Sequence, residues 1–390
     1  MNKKLQANAS YSLIHASMWG MYAVIIYFAK TFLSAQGLSD AMCSLVLGIT
    51  AATSVFLNIG VSEIIKRTQK VKLYVATMAL AALILLGLGG MLLANKVLAL
   101  SGICLVLTLL QLAPGMCNSL GMDAIAKGAP ATYAVARGIG SFAFATVSLC
   151  AGNLIAKFGT GAVPVIGGAS TAILILAVLW FHNCAEKDLP ETVAEVKAES
   201  TGRKDNFLGK NPLFSLLLVG ASLMNISHYY LVVFLSDVTN ALNLGSEVVG
   251  TAAAISTYVE LPIMLGFAFL TRKMRCNNLL KISCFMFLVK CLGITFADGA
   301  MGIYLAHASQ IVGYGLYAIA SVTYAGEVMG KEDAVRAQSY LAGTISIGNV
   351  VAMFTGGLMS VETMLWVSTA CAAIGSIVVL ISARNTQESA

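Results

Sequence analysis

Charge is what this sequence is shortest of: only 11% of its 390 residues are Asp, Glu, Lys or Arg, less than half the share of about 25% in an ordinary soluble domain. Proline is scarce too, at six residues, so helices can run long without interruption. Nine cysteines are present, yet no Cys-x-x-Cys pair or Cys/His ligand spacing occurs, and Cys43, Cys104, Cys117, Cys150, Cys284, Cys291 and Cys371 lie inside apolar runs. That leaves them as reduced packing residues rather than a metal or redox centre. The chain also lacks a Gly-x-x-x-x-Gly-Lys-Ser/Thr phosphate loop, a His-Glu-x-x-His pair and a Gly-x-Ser-x-Gly elbow. Nothing in it therefore points to direct use of ATP or to an enzyme, and neither a metal nor a cofactor is expected.

What is abundant is apolar. Hydrophobic residues make up 58% of the chain and the mean hydropathy is +0.83, so the bilayer is its solvent. Only helices or closed barrels satisfy their backbone in hydrocarbon, and continuous runs of about 20 residues select helices over the alternating runs of about 10 that make barrels. The expected fold is an all-α polytopic membrane protein of twelve spans, at about 11–34, 41–62, 73–94, 98–125, 135–156, 162–181, 212–236, 246–270, 279–297, 301–326, 337–358 and 364–383. The opening Met-Asn-Lys-Lys resembles the start of a signal peptide, but the apolar run continues past Tyr22 to Leu33, which reads as an uncleaved first helix.

One long polar interval interrupts the pattern. His182 to Lys210 carries five Lys/Arg and six Asp/Glu, a composition that buries too little apolar surface to fold and reads as a solvated linker. The expected organisation is an N-terminal six-helix bundle over 1–182, a cytoplasmic linker over 183–210 and a C-terminal six-helix bundle over 211–390.

The net charge of +6 does not point to nucleic acid, because the basic residues sit in short clusters between apolar runs. Threading the spans from a cytoplasmic N-terminus puts 20 of the 24 Lys/Arg on one side, with Lys30, Lys96, Lys157 and Lys290 as the exceptions. The positive-inside rule then places both termini in the cytoplasm of a plasma-membrane protein.

The halves echo one another. Tyr27, Phe32-Leu33-Ser34 and Gly48 recur 202 residues later as Tyr229, Phe234-Leu235-Ser236 and Gly250, and Asp123 with Lys127 parallels Glu327 with Lys331. A six-plus-six duplication explains the shared offset, and parallel repeats of this kind hold substrate between the halves.

Several segments resemble the major facilitator superfamily. Tyr133-Ala-Val-Ala-Arg137-Gly-Ile-Gly140-Ser141-Phe-Ala-Phe144 is similar to the fifth-helix signature of the branch containing lactose permease, nucleoside–proton symporters and phenylpropionate permease-like proteins. Glu260-Leu261-Pro262 resembles its eighth-helix Glu-Ile-Pro pattern, His228-Tyr229-Tyr230 its seventh-helix segment, and His307 with Gln310 its tenth-helix cluster. Gln310 stands where that branch has a histidine, and Gly313 where lactose permease has the acid it uses for proton transfer. The resemblance implies a secondary transporter working on a sugar, nucleoside or aromatic acid.

Charged groups at bilayer depth are costly and mark function when they face a cavity. Glu260, mid-span, could bind and release a proton, or pair structurally with Lys290. Arg137 could hold hydroxyls or a carboxylate through its planar fork, and the resemblance places it at the cavity. His228 could relay a proton or bind solute, with Asn225 and Tyr229 on its helix face. Lys30, Asp237 and Asp298 read as interfacial. The expected solute-binding set is Arg137, His228, Tyr229, Lys290, His307 and Gln310; Glu260 and His228 are the expected proton carriers; Asp123 with Arg137 and Glu327 with Arg336 are the expected gate. The expectation is proton-coupled uptake by a monomer in a lipid bilayer, with a proton-coupled drug or metabolite exporter of the same superfamily and a transport-inactive membrane sensor or scaffold as alternatives.

Overall fold

A computed structural model describes residues 3–68, 72–187, 189 and 206–383. Most of the expected linker lies outside the described residues, as do Lys70, Arg384 and the side chains of Lys66, Arg67 and Lys331. Every regular element among the described residues is helical: α1 (Lys3–Ala35), α2 (Asp40–Thr68), α3 (Leu73–Met91), α4 (Lys96–Leu110), α5 (Ala113–Ala126), α6 (Tyr133–Phe158), α7 (Ala162–Phe181), α8 (Phe207–Lys210), α9 (Pro212–Val233), α10 (Leu235–Ala241), α11 (Ser246–Lys273), α12 (Cys276–Thr295), α13 (Ala300–Ala308), α14 (Tyr314–Thr355) and α15 (Val361–Ser382).

Burial runs opposite to that of a soluble protein. Phe56 and Leu265 are 75% and 86% exposed, whereas Ser10, Ser12, His15, Ser17 and Lys30 of α1 are buried. An apolar exterior around a partly polar interior suits hydrocarbon solvent, where backbone groups are satisfied within helices and polar side chains turn inward. Lys30 is 4% exposed, on a stretch of α1 that is buried around its whole circumference. Asp298 is exposed.

Ten helices among the described residues are long and apolar enough to cross a membrane, or eleven if α4 and α5 form one bent crossing. Two of the twelve expected spans are built differently from the rest. The fourth divides into α4 and α5, which meet at 41° around Gln111 and Leu112; Pro114, at the second position of α5, cannot donate back to the α4 carbonyls. The tenth expected span has no single helix of its own: α13 ends after nine residues, Ser309–Ile311 form a 3-10 turn, and the chain passes Gly313 before α14 begins.

Helix α14 runs for 42 residues, about 63 Å if straight, but it doubles back. Asn225 of α9 accepts a hydrogen bond from Tyr314 Oη (2.9 Å) and donates to Thr344 Oγ1 (3.1 Å), two residues of α14 that would stand about 45 Å apart on a straight helix. One asparagine reaches both only if the helix reverses between them. The helix thus supplies the second half of the tenth expected span and the eleventh as far as Thr355, with Glu327 and Arg336 between the two arms.

Two compact units make up the chain, Met1–Ser39 with Ile49–Lys204 and Asp40–Gly48 with Asp205–Ala390, so the division runs through α2. Within the first unit α1 packs against α6 and α7, and α3 against α7; within the second α9 packs against α14 and α15, and α12 against α15. The neighbour pattern repeats between the units, as the sequence echo leads one to expect. Small residues permit the approach: a Cβ on Gly220 of α9 would stand 2.9 Å from the Gly375 carbonyl of α15, and the reverse holds equally.

Candidate functional site

In the second unit, Pro262 lies inside α11 without ending it, and Glu260 sits two residues before it, half-buried. The break between α13 and α14 brings Gln310 opposite this carboxylate, because the 3-10 turn projects a side chain where a continuous helix would carry it elsewhere. Gln310 Nε2 donates to Glu260 Oε1 at 2.5 Å, while Gln310 Oε1 accepts from Lys290 Nζ of α12. Lys290 and Gln310 are 1% and 5% exposed. Glu260 and Lys290 are thus linked through an amide rather than directly: the glutamine turns its donor to the carboxylate and its acceptor to the ammonium, and the two charges interact across it. Gly315 makes room, since a Cβ there would stand 2.7 Å from Glu260 Cγ.

Around this chain lie the histidines. The His228 ring stacks on Tyr314 with centroids 3.6 Å apart and planes 2° from parallel, and Tyr229 meets it edge-on at 5.6 Å. Tyr314 is held in turn by Asn225. His307 is buried with Nδ1 2.5 Å from Ser256 Oγ. The field of Lys290 reaches both rings, and His228 Nδ1 and His307 Nε2 are buried without a hydrogen-bond partner. Behind Tyr314, a cavity of about 120 Å³ opens between α9 and the two arms of α14, bordered by Asn225, Tyr317, Ser321, Leu341 and Thr344.

The first unit gathers a different set. Arg137 of α6 donates to Ser141 Oγ (2.6 Å), and its guanidinium lies 4.4 Å from the centre of the Trp19 ring. Gly140 permits this, with Trp19 Cδ1 2.6 Å and His15 Cβ 3.2 Å from where its Cβ would be. His15 packs edge-on against Tyr11 and Tyr133, and both of its ring nitrogens, with Tyr11 Oη and Trp19 Nε1, are buried without partners. Tyr22 donates to Gln111 Oε1 at 3.0 Å. Asp123 meets Lys127 at 2.6 Å in an i, i+4 pair, rather than the Arg137 that the gate reading pairs it with. Arg336 lies over the Phe207 ring at 4.5 Å, and Glu327, exposed and outside the spans, has its carboxyl held above the usual range by partial burial.

Thus Glu260, Lys290, Gln310, His228, Tyr229 and His307 come together in one unit, and Arg137 stands in the other with aromatic partners of its own. Sequence reasoning missed His15 and Gln111. His15 stands alone in an apolar run. Gln111 had a signal: it lies 199 residues before Gln310, and both mark the break in the fourth crossing of their unit. Interrupted helices at matching positions of two halves point to a transport site. Among the described residues, no group of three or more His, Cys, Asp or Glu is gathered as for a metal ion.

The profile of the MFS_1 like family matches residues 10–369. No curated protein matches the chain in sequence. Among solved structures, the nucleoside transporter NupG superposes with a TM-score of 0.77 at 13% identity, covering 99% of this chain and 100% of that one. A bacterial homologue of the iron transporter ferroportin, in its inward-facing state, gives 0.75 at 12% identity, with 98% and 99% covered. A bacterial homolog to the human lysosomal transporter Spinster gives 0.70 at 13% identity, with 100% and 98% covered. At such identities the likeness is one of fold.

Proposed function

We propose, for a chain that belongs to the MFS_1 like family and is a multi-pass membrane transporter of the major facilitator type, that it takes up a small solute together with protons by alternating access. Lys290, Gln310, His228, Tyr229, His307 and Arg137 are the proposed solute-binding residues, while Glu260 carries the proton, with His228 as a second candidate relay. The protein works as a monomer in the plasma membrane, with both termini in the cytoplasm.

The observation that supports this best is the chain Glu260–Gln310–Lys290. A half-buried carboxylate and a buried ammonium joined by an amide form a neutral set, and a proton added to Glu260 upsets that neutrality. Burial of unpaired charge is costly, so the protonated state differs in energy from the ionised one by enough to bias which conformation is populated. The proposed gate is Asp123 with Arg137 and Glu327 with Arg336.

The test is reconstitution in liposomes loaded with a pH-sensitive dye and challenged with sugars, nucleosides and aromatic acids. Proton entry driven by at least one solute, lost on Glu260→Gln, is expected. Solute flux with no accompanying proton movement in the wild type rules the coupling out.

A further inference from the structure

We propose that the furrow between α3 and α4 holds one acyl chain of a bilayer phospholipid, from the leaflet opposite the chain's termini, with the lipid phosphate against Lys96. The site lies apart from the groups proposed to bind solute and does not depend on what they carry.

The furrow has a volume of about 660 Å³ and is walled by Ala82, Leu86, Gly89 and Leu93 of α3 and by Leu98 and Leu105 of α4. Glycine shapes it. Gly87 and Gly102 let the two backbones touch, since a Cβ on Gly87 would stand 2.9 Å from the Gly102 carbonyl and a Cβ on Gly102 would collide with the Gly87 carbonyl. Helices joined so closely leave a hollow beside their contact unless a side chain reaches over it. Gly89 is a position from which one could: it is exposed, and nothing lies within 4 Å of where its Cβ would be. Glycine inside a helix is less stable than alanine. Close packing accounts for Gly87 and Gly102 but not for Gly89, whose missing side chain leaves room for a guest.

Length selects that guest. From Ala82 to Leu93 the furrow follows α3 for about 16 Å, and half of a hydrocarbon core about 30 Å thick is about 15 Å. It thus begins at mid-membrane and ends near the α3–α4 turn, which is the depth of a chain from a single leaflet. A helix of a second copy, crossing the whole core, would run on past Ala82 toward Leu73, where the furrow does not extend.

Charge at the α3–α4 turn agrees. Lys96 begins α4, is exposed, and pairs with no carboxylate among the described residues. Its ammonium lies by the α1–α2 turn, 3.6 Å from where a Cβ on Gly37 would be. It is also one of the four Lys/Arg that the charge asymmetry of the loops does not explain. A phosphate at the membrane surface accepts from such an ammonium in a charge-assisted hydrogen bond, and the acyl chain below it fills the furrow.

Native mass spectrometry of the purified full chain tests this by counting lipids and subunits together. The probes are palmitoyl-oleoyl phosphatidylglycerol and the matching diacylglycerol, which lacks the phosphate. The wild type is expected to retain one phosphatidylglycerol tightly. Gly89→Leu, which fills the furrow, should raise the Kd about tenfold, whereas Gly60→Leu, at another open glycine of the same unit, should match the wild type. Lys96→Gln should weaken phosphatidylglycerol and leave the diacylglycerol unchanged. Wild-type affinity in Gly89→Leu, or an equal loss in Gly60→Leu, overturns the proposal. Equal affinity of the wild type for the two lipids overturns the contact to Lys96. A wild-type dimer that Gly89→Leu dissolves puts a second copy in the furrow and overturns the lipid. Should Gly89→Leu fail to fold, phosphatidylglycerol carrying a photoreactive diazirine in its acyl chain decides on the wild type alone. Labelling within residues 82–105 supports the furrow, and labelling only elsewhere overturns it.

Discussion

Single side chains carry the site. Replacing Gln310 by Leu leaves the Lys290 ammonium buried without its acceptor, and the expected loss is about 3 kcal/mol of stability. Adding Lys290→Met should recover most of that loss, because two apolar partners replace two polar ones; thermal melts of both variants in detergent measure the difference. Glu327 makes a pH prediction. Its carboxyl is held above the usual range by partial burial, so the folded state binds its proton more tightly than the unfolded one and ionisation opposes folding. Glu327→Gln should therefore be slightly more stable than wild type at neutral pH, with the gap narrowing as pH falls through the raised folded-state value and gone below about 4.3, the ordinary value of a glutamate; melts across pH 4 to 8 check the sign. The charged members of the site were legible in the sequence because ionisable residues in apolar runs stand out. Their wiring was not: nothing local says that Gln310 stands between Glu260 and Lys290, since this depends on how the chain turns at residues 309–313. His15 escaped because an isolated histidine in a long helix gives no hint of four unpartnered polar atoms around it.

Helices place those side chains through breaks and close approaches. Most spans could be read off as apolar runs, and nine of the twelve expected segments fall on single helices within a few residues. The exceptions have physical causes. Pro114 bends the fourth crossing, while the tenth stops at a 3-10 turn with no proline to announce it. The reversal of α14 was legible only as a polar gap between two runs, since no proline lies in Gly326–Ala337 to end the helix. Close packing of α9 on α14 gives an element-level prediction. A Cβ on Gly348 would stand 2.6 Å from the Asn225 backbone, so Gly348→Leu must push α14 away from Asn225 and should cost about 1–3 kcal/mol. A fall in melting temperature measures it. Gly343→Ala, where a Cβ meets nothing within 4 Å, should melt like the wild type.

At the size of the entire protein, the chain divides into two units with similar helix neighbours, and the match over residues 10–369 fixes the family. Substrate class and coupling were not legible from fold, because one scaffold hosts many solutes; they depend on a few buried groups. Proton flux is the decisive observable. In liposomes holding the reconstituted protein, an inwardly added solute should carry protons with it in the wild type, whereas Glu260→Gln should exchange solute across the membrane at equilibrium without moving protons or accumulating solute against a gradient. Proton movement of wild-type size in Glu260→Gln would contradict the assignment of Glu260 as the coupling carboxylate.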